Sequence, residues 1–200
     1  IAEMVLVGKL NSEIVSLLNL RGVRAVGLSG KDAGLIRARR KNAVVYEEGT
    51  ARSVDIGLVG EVAAIDTGII IDLLNCGYVP VISPIGMGES GESYNINADD
   101  VAAEIAGALH AEKLLLLTDV EGVYRDFADR SSLISQLHFA QAREYIRSGI
   151  IAGGMIPKVE ACLRALEAGA HKTHIVDGRL AHSIILEIFT SHGIGTMVLP

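Results

Sequence analysis

The sequence is poor in cysteine, in long apolar runs and in positive charge, and each shortage argues against a class of protein. Its two cysteines, Cys76 and Cys162, lack the spacing of a metal site, so we expect both to be small core residues in a reducing compartment, the cytoplasm. No apolar stretch approaches the roughly 20 residues that span a bilayer, so no membrane partner is predicted. A net charge of −6 argues against a nucleic-acid partner, and the one dense basic run, at 37–41, is interpreted as a solvated loop.

What is present indicates a folded chain of mixed α/β class. Half of the 200 residues are hydrophobic and 21% are charged, unlike the composition of a disordered chain. Apolar spacing predicts helices at 4–20, 66–76, 98–110, 140–148, 157–168 and 181–190. Strands are predicted at 23–28, 44–46, 54–62, 78–83, 113–118, 173–176 and 195–199, with a turn at Glu48-Gly49 and a glycine loop at 86–92. This alternation predicts helices on both faces of a mainly parallel central sheet, whose ligands bind at the carboxyl ends of the strands.

The segment 92–100 begins a predicted helix and is rich in amides and acids. Asn97 suits the N-cap, and Asp99 and Asp100 fall in the first turn, where the helix dipole favours acids. That interpretation needs no ligand. The same cluster of amides and an acid could also hold a polar ligand or position cations, and the residues alone leave both open.

The segment 153–158 (GGMIPK) begins another predicted helix. Pro157 suits the first helical position, and the glycine pair allows a tight turn or a close approach to a ligand. Lys158 then lies in the first turn, where the dipole disfavours a cation. An exposed lysine is one interpretation; the other is that Lys158 and the helix N-terminus together bind an anion such as phosphate.

The segment 114–124 (LLLLTDVEGVY) is an apolar strand that runs into a turn. Asp119 and Gly122 are ordinary turn residues. Thr118 and Asp119 also stand at the carboxyl end of a strand predicted to be fully buried, where a nucleotide could bind.

Taken in order along the chain, these segments resemble the amino-acid kinase family, and within it the members that phosphorylate N-acetyl-L-glutamate. The pair formed by NINAD at 95–99 and GGMIPK at 153–158 is the most specific part of the match. The other matching segments are EMVLVGK at 3–9, GLVGE at 57–61, LTDVEG at 117–122 and DGR at 177–179. Single pieces such as Thr-Asp-Val are shared with carbamate kinases, aspartokinases and uridylate kinases.

The resemblance implies a three-layer αβα sandwich that transfers phosphate from ATP to the side-chain carboxylate of N-acetyl-L-glutamate, the second step of arginine synthesis. Asn95 would hold the acetylglutamate, Asp99 would orient catalytic lysines and Lys158 would stabilise the transferred phosphoryl group. Mg²⁺ would be held mainly through the nucleotide phosphates, with no metal site made by protein side chains. The remainder of an acetylglutamate lobe would occupy 1–93 and a nucleotide lobe 94–200, on one continuous sheet. The ATP contacts would be Thr118, Asp119, Gly122, Tyr124, Gly153 and Gly154.

The C-terminal segment 182–196 resembles that of arginine-inhibited family members. His182, Glu187 and Gly193 would then fall at an effector site for L-arginine, although an amphipathic helix with an exposed acid and histidine explains the same residues. The resemblance also implies a homo-oligomer, either a dimer or a hexamer, and admits a PII-type signalling protein as a partner.

The sequence departs from the family at its start. Family members begin with a strand that carries a second phosphate-contacting lysine, followed by a Gly-Gly-Gly loop and an arginine for the substrate carboxylate, and no counterpart is found here. Lys9 lies in a helical pattern and does not replace that lysine. Because the chain opens Ile-Ala-Glu, we expect a fragment of a longer gene product lacking its N-terminal strands; a degenerate, inactive relative is the alternative.

Three other functions stay open at this point. One is a family member with a different acceptor, namely carbamate, glutamate or aspartate. Another is a non-catalytic fragment that binds arginine or a partner. The third is a dinucleotide-binding oxidoreductase, because Gly86, Gly88 and Gly91 fit the spelling Gly-x-Gly-x-x-Gly, although no second strand ending in an acid follows.

Overall fold

A computed structural model of the chain describes residues 1–47, 50–190 and 193–200. These residues form two compact units, 1–101 and 102–200. The predicted turn at Glu48-Gly49 lies outside the described residues. No described helix is both long and apolar enough to cross a membrane.

The first unit begins with a helix, as predicted. Beside this helix, two parallel strands pair with each other. A π-helical stretch, Met4–Asn11, continues into α1 (Ser12–Leu20), and Gly22 ends it with a φ of 81°. Strand β1 (Ala25–Ser29) pairs in parallel with β4 (Val79–Ser83). Asn11 is buried against them and donates to the carbonyls of Val81 and Leu28, at 2.8 and 3.4 Å.

The rest of the first unit contains a small closed barrel and two helices. Strands β2 (Ile36–Glu47) and β3 (Thr50–Ile65) form a long antiparallel hairpin, which closes with β5 (Ile85–Met87) and β6 (Ser93–Asn95). Helix α2 (Gly68–Asn75) precedes β4, and α3 (Ala98–Ala108) starts in this unit.

The basic run at 37–41 was predicted as a loop, and that prediction was wrong. It lies within β2, where Ile36 and Ala38 are buried and the three arginines of the run are exposed. Arg39 pairs with Glu61 of β3 at 2.6 Å, and Arg40 pairs with Asp55 at 2.9 Å. One face of this strand is exposed and carries the charged residues, so the sequence of the strand resembles that of a solvated loop.

The second unit is a four-stranded sheet with helices on both faces. Its strands are β7 (Leu114–Thr118), β8 (Gln136–His138), β9 (Thr173–Asp177) and β10 (Thr196–Leu199), in the order β7-β9-β10-β8. Only the β9–β10 pair in this sheet is antiparallel. Helices α4 (Phe139–Ser148) and α5 (Met155–Glu167) precede β9, and α6 (Ser183–Phe189) precedes β10.

Side chains alternate along β9 and show which helix covers each face of the sheet. Ile175 belongs to the apolar core together with Val159 and Cys162 of α5, whereas His174, on the opposite face, bonds to Glu187 of α6. The α/β class predicted from the sequence is therefore confirmed.

Several details of the sequence prediction need correction. Strand β7 is not fully buried, because Leu117 is 49% exposed on the α6 face, and Cys76 at the end of α2 is exposed while Cys162 is buried. Pro157 is the third residue of α5, where its missing N–H still costs no helical bond. Strand β8 was missed because three residues are too few to show alternation. Within the first unit, hydrogen bonding joins β1 to β4 and the four barrel strands to one another; within the second unit, it joins β7 to β10 into one sheet.

Candidate functional site

A cavity of about 560 Å³ opens at the carboxyl end of β7 in the second unit. This volume lies in the range of small-molecule sites, and the position is where ligands bind in open α/β sheets. Thr118 is the last residue of β7, and Lys158 lies in the first turn of α5. The cavity gathers all the residues that the resemblance assigns to ATP, together with Lys158. It is lined by Thr118, Asp119, Val120, Gly122, Val123, Tyr124, Phe127, Ile150, Ile151, Ala152, Gly153, Gly154, Met155 and Lys158.

The turn after β7 is fixed by packing against β10. A side chain on Gly122 would meet the Thr196 Oγ1 atom at 2.5 Å, so only glycine fits without a shift. The Val123 N–H donates to the same Thr196 hydroxyl at 2.8 Å, which in turn donates to the carbonyl of Ile134 at 2.7 Å. The Thr118 hydroxyl donates to the Asp119 carboxylate at 3.2 Å. Buried contacts with β10 therefore fix the turn that forms this wall of the cavity.

The opposite wall is the turn that starts α5. Gly153 has a φ of 56°, a conformation that favours glycine, and Gly154 is the N-cap. The N–H groups of Met155 and Ile156 are directed to the carbonyls of Ala152 and Gly153, at 3.3 and 3.2 Å. Because Pro157 has no N–H and the N–H groups of Met155 and Ile156 already have acceptors, the helix start offers few donors to an anion.

An aromatic cluster that the sequence did not predict forms one side of the cavity mouth. Phe127 is 66% exposed and meets Tyr124 edge to face, with ring centroids 5.8 Å apart. The Arg130 guanidinium lies 5.4 and 5.3 Å from the centroids of these two rings and 3.5 Å from the Glu121 carboxylate. The Tyr124 hydroxyl also donates to Glu121. Exposed aromatic surface beside a polar wall suits a ligand that has both a flat ring and charges.

The motif at 177–179 lies at the same end of the sheet. Asp177 pairs with Thr118 in register, and its carboxylate accepts two hydrogen bonds from the Arg179 guanidinium at 3.0 and 2.8 Å. These bonds, with the one from the Arg179 N–H, hold the pKa of the Asp177 carboxyl below its usual value. The bonds to Asp177, and then the charges of Asp119 and Glu121, raise the pKa of Arg179. The carboxyl ends of β7 and β9 thus carry both acidic and basic side chains.

A second cavity, of about 280 Å³, lies in the same unit and is lined by both Glu187 and Gly193. Lys113 and Lys172 also line it, and each immediately precedes a strand of the parallel pair β7–β9. This cavity therefore lies toward the amino ends of those strands. His182 is not among its lining residues; it is exposed, with a left-handed φ of 63°, at the N-cap of α6.

Glu187 in this cavity is a buried carboxylate with protein donors on both oxygens. It accepts from the Nδ1 atom of His174 at 2.6 Å and from the N–H groups of Ile194 and Gly195 at 2.7 and 2.9 Å. Burial raises the pKa of the Glu187 carboxyl, but the bonds from Ile194, His174 and Gly195 outweigh that effect and leave the pKa below its usual value. Because an ionised carboxylate only accepts, His174 donates through Nδ1, and its buried Nε2 has no partner among the described residues.

Asn95 and Asp99 lie in the first unit. Asn95 ends β6 and is exposed, whereas Asp99 lies in the first turn of α3. The Asn97 side chain accepts from the N–H groups of Asp99 and Asp100 at 2.9 and 3.1 Å, as a capping residue does. The described residues contain no group of three or more His, Cys, Asp or Glu that could hold a metal ion.

The glycine spelling at 86–91 is not a dinucleotide motif. The motif requires a turn between a strand and a helix, whereas these residues form the hairpin between β5 and β6. Their turn is filled by Glu92, whose carboxylate accepts from the Ser90 N–H and the Tyr94 hydroxyl, at 2.9 and 3.0 Å. A carboxylate in this position would repel a pyrophosphate, so the oxidoreductase alternative is set aside.

Sequence reasoning missed Phe127, Lys113 and Lys172. The two lysines could have been found from the register of β7 and β9, since each stands one residue before a strand in a parallel pair. Phe127 lies within a turn, between Asp126 and Asp129, and no periodic signal marks it.

Comparisons with known proteins identify the family of the chain. The sequence matches the Amino acid kinase family over residues 1–177. It is 56% identical over 200 residues to an acetylglutamate kinase of Moorella thermoacetica and spans 68% of that protein. It is 57% identical over 199 residues to one of Symbiobacterium thermophilum and spans 67% of it. A structure of the N-acetylglutamate synthase of Neisseria gonorrhoeae with coenzyme A and N-acetyl-glutamate superimposes with a TM-score of 0.81 at 26% identity, covering 96% of this chain and 42% of that one. On this match and these identities, the chain belongs to the amino acid kinase family.

Proposed function

We propose that this protein transfers the γ-phosphoryl group of ATP to the side-chain carboxylate of N-acetyl-L-glutamate, in arginine biosynthesis. The observation that carries the proposal is the cavity at the end of β7, whose lining includes Lys158 and the six residues assigned to ATP. Relatives 50–57% identical are named acetylglutamate kinases, which supports the choice of acceptor over carbamate, glutamate or aspartate.

The chemistry requires positioning more than acid–base catalysis. A carboxylate is ionised at neutral pH and is already a nucleophile. One of its oxygens bonds to the γ-phosphorus as the bond from that phosphorus to the β,γ-bridging oxygen breaks, which yields an acyl phosphate and ADP. No proton has to be removed from the acceptor, so the task is to bring two anions together and to stabilise charge on the phosphoryl oxygens.

The chain's own residues are assigned to that task as follows. The ammonium of Lys158, on the wall of the cavity, would stabilise the transferred phosphoryl group. Asn95 would hold the acetylglutamate, and Asp99 would orient lysines, since a carboxylate facing the phosphates directly would repel them. The apolar and aromatic surface near Phe127 would receive the nucleobase.

Mg²⁺ fits this site only as an ion brought by the nucleotide. Asp119 is the one carboxylate among the cavity's lining residues, so the phosphate oxygens would supply most ligands. Bound in that way, the ion would neutralise charge on the phosphates.

A hydroxylamine-trapping assay tests the proposal. Acyl phosphates react with hydroxylamine to give coloured hydroxamates, so the chain is incubated with ATP, Mg²⁺ and N-acetyl-L-glutamate, or with glutamate or aspartate instead. We expect hydroxamate with the acetylated substrate and none above the blank with the other two. Equal product with glutamate or aspartate would reassign the acceptor. ATP binding without any product would favour the inactive alternative.

We also propose that L-arginine binds the second cavity and inhibits the reaction. Two lysines and Glu187 give this cavity both signs of charge, which suits an amino acid with a carboxylate and a guanidinium. The same observation favours the alternative of an arginine-binding module. The test is calorimetric titration with L-arginine, and with L-citrulline, which keeps the carboxylate but lacks the charge of the side chain. Binding of arginine that also slows hydroxamate formation supports inhibition.

Self-association is proposed on the exposed face of the first helix. Leu10, Ile14 and Leu17 are 42, 48 and 60% exposed there at helical spacing, which is unusual for a face in contact with water. Sedimentation analysis of the full chain and of a Leu17→Glu variant would test for a dimer or hexamer. A PII-type signalling partner and a cytoplasmic location remain proposals from the resemblance and the cysteine content.

A further inference from the structure

The turn that follows β9 carries an acid and an arginine that bind each other. The Asp177 carboxylate accepts from the Arg179 guanidinium, through Nε at 3.0 Å and Nη2 at 2.8 Å, and from the Arg179 backbone N–H at 2.8 Å. The Asp177 side chain is 14% exposed, whereas that of Arg179 is 67% exposed. The acid is therefore largely covered, and the arginine presents its charge to solvent at the end of the sheet.

Backbone contacts place this turn against the end of β7. Thr118 pairs with Asp177 in register, and the Gly178 N–H donates to the Thr118 carbonyl at 2.8 Å. A side chain on Gly178 would meet the Leu117 Cβ atom at 3.2 Å, so the turn packs closely on the strand. Asp119, the residue after Thr118, lines the cavity at the carboxyl end of β7. The pair formed by Asp177 and Arg179 therefore lies beside one wall of that cavity.

The charges at this end are unfavourable for a polyphosphate unless cations offset the acids. Among the described residues that line the cavity, Asp119 is the one acid and Lys158 the one base. Asp177 adds a second carboxylate on the neighbouring strand, and carboxylates close to a triphosphate weaken its binding. Arg179 acts on both acids: the bonds to Asp177, and then the charges of Asp119 and Glu121, raise its pKa.

We infer that Arg179 supports the binding of ATP through its charge, which offsets the carboxylates of Asp119 and Asp177 beside the phosphates. The inference rests on the proposed binding of ATP in this cavity. Arg179 is not among the residues that line the cavity, so its effect is exerted over a distance and not by contact. Such an effect grows with the charge of the ligand and decreases with ionic strength.

The alternative is that the two side chains only shape the turn, and substitutions that change one charge or both separate the two roles. Arg179→Gln removes a positive charge, and Asp177→Asn removes a negative one. The double variant loses the ion pair but keeps the net charge of wild type. Arg143→Gln is the matched control, because Arg143 pairs with Glu167 at 2.8 Å, at the end of α5 opposite to Lys158.

Calorimetric titration of the full chain with AMP, ADP and ATP, without Mg²⁺ and at low and high sodium chloride, measures the effect. We expect Arg179→Gln to weaken ATP binding about fivefold at low salt, with smaller losses for ADP and AMP, and high salt to reduce all three losses. Asp177→Asn should bind ATP at least as tightly as wild type. The double variant should lie close to wild type, and Arg143→Gln should match it.

The outcomes that contradict the inference are distinct. An equal loss for the three nucleotides, or a double variant that binds ATP no more tightly than Arg179→Gln, would assign the pair to the structure of the turn and overturn the inference. A loss confined to ATP would make Arg179 a direct ligand of the terminal phosphate and also overturn it. Arg179→Gln with wild-type affinities would overturn it and leave the proposed function standing. Wild type that binds none of the three nucleotides would overturn both.

Discussion

The two cavities of the second unit differ in how their charged groups are satisfied. At the carboxyl end of β7, the wall consists of glycine turns, and the neighbouring Glu121, Arg130 and Arg179 side chains are more than half exposed. At the amino end of the β7–β9 pair, the central carboxylate is buried and bonded to His174 and to two backbone N–H groups. The charged pairs of the first arrangement are open to solvent, whereas the central pair of the second is buried.

This difference predicts a role in turnover for the first cavity and a role in folding stability for the second. Groups that stabilise a changing charge are useful only if a substrate can reach them, and that is the role proposed for Lys158. A buried charge that is already bonded fixes local structure: Glu187 joins α6 to β9 and to the start of β10. Substitutions at the carboxyl end should therefore change turnover, whereas those at the amino end should change folding stability and the response to arginine.

The largest expected effect is on turnover. Lys158→Ala should lower kcat on the order of a thousandfold, because a cation near the transferred phosphoryl group can supply about that factor, with a smaller change in KM. Lys172→Ala, in the other cavity, is the matched control and should keep kcat while weakening inhibition by arginine. Steady-state kinetics of both variants measures the split. An equal loss of turnover in the two would erase the distinction between the cavities.

The next effect is on stability. Glu187→Ala removes one partner of a buried pair and leaves His174 and two N–H groups without an acceptor, which should cost about 3 kcal/mol of unfolding free energy. Glu187→Gln keeps an acceptor oxygen and should cost less. Urea unfolding measures both, with Glu160→Ala on exposed α5 surface as a control. A Glu187→Ala protein as stable as wild type would show that the pair is not structural.

A pH series tests whether the ionised form of Glu187 stabilises the fold. The pKa of Glu187 is lower in the folded protein than its ordinary value near 4.5, so ionised Glu187 contributes stability that is fully present above that value and is lost as the pH falls through the folded pKa. The melting temperature of wild type should therefore exceed that of Glu187→Gln at pH 6 to 7 and converge with it in more acidic buffer. Other carboxylates with lowered pKa are common to both proteins and cancel in the difference. A gap that is constant with pH would contradict the assignment.

The sequence predicted the carboxyl-end cavity better than the amino-end one, for a physical reason. Thr118 ends β7, Asp119 follows it directly and the glycine pair at 153–154 directly precedes α5, so local pattern alone places them at the ends of these elements. Lys113 and Lys172 become neighbours only through the register of β7 and β9, and the pairing of His174 with Glu187 depends on which face of β9 meets α6. The closed barrel was not predicted either, because β2 carries arginines on its exposed face and resembles a loop in sequence.

The smallest effect concerns the aromatic side of the carboxyl-end cavity. Phe127→Ala should raise the KM for ATP about fivefold and leave the KM for acetylglutamate unchanged, since stacking of one base on an aromatic ring contributes at the low end of 1–3 kcal/mol. Phe189→Ala removes a ring of similar exposure on α6, away from the cavity lining, and should change neither constant. Because the ring would contact the base and not the phosphates, the variant should discriminate less between ATP and inorganic triphosphate as competing ligands. If both alanine variants bind ATP as wild type does, the exposed ring at 127 takes no part in nucleotide binding, and the carboxyl-end cavity holds its ligand by the glycine turns and Lys158 alone.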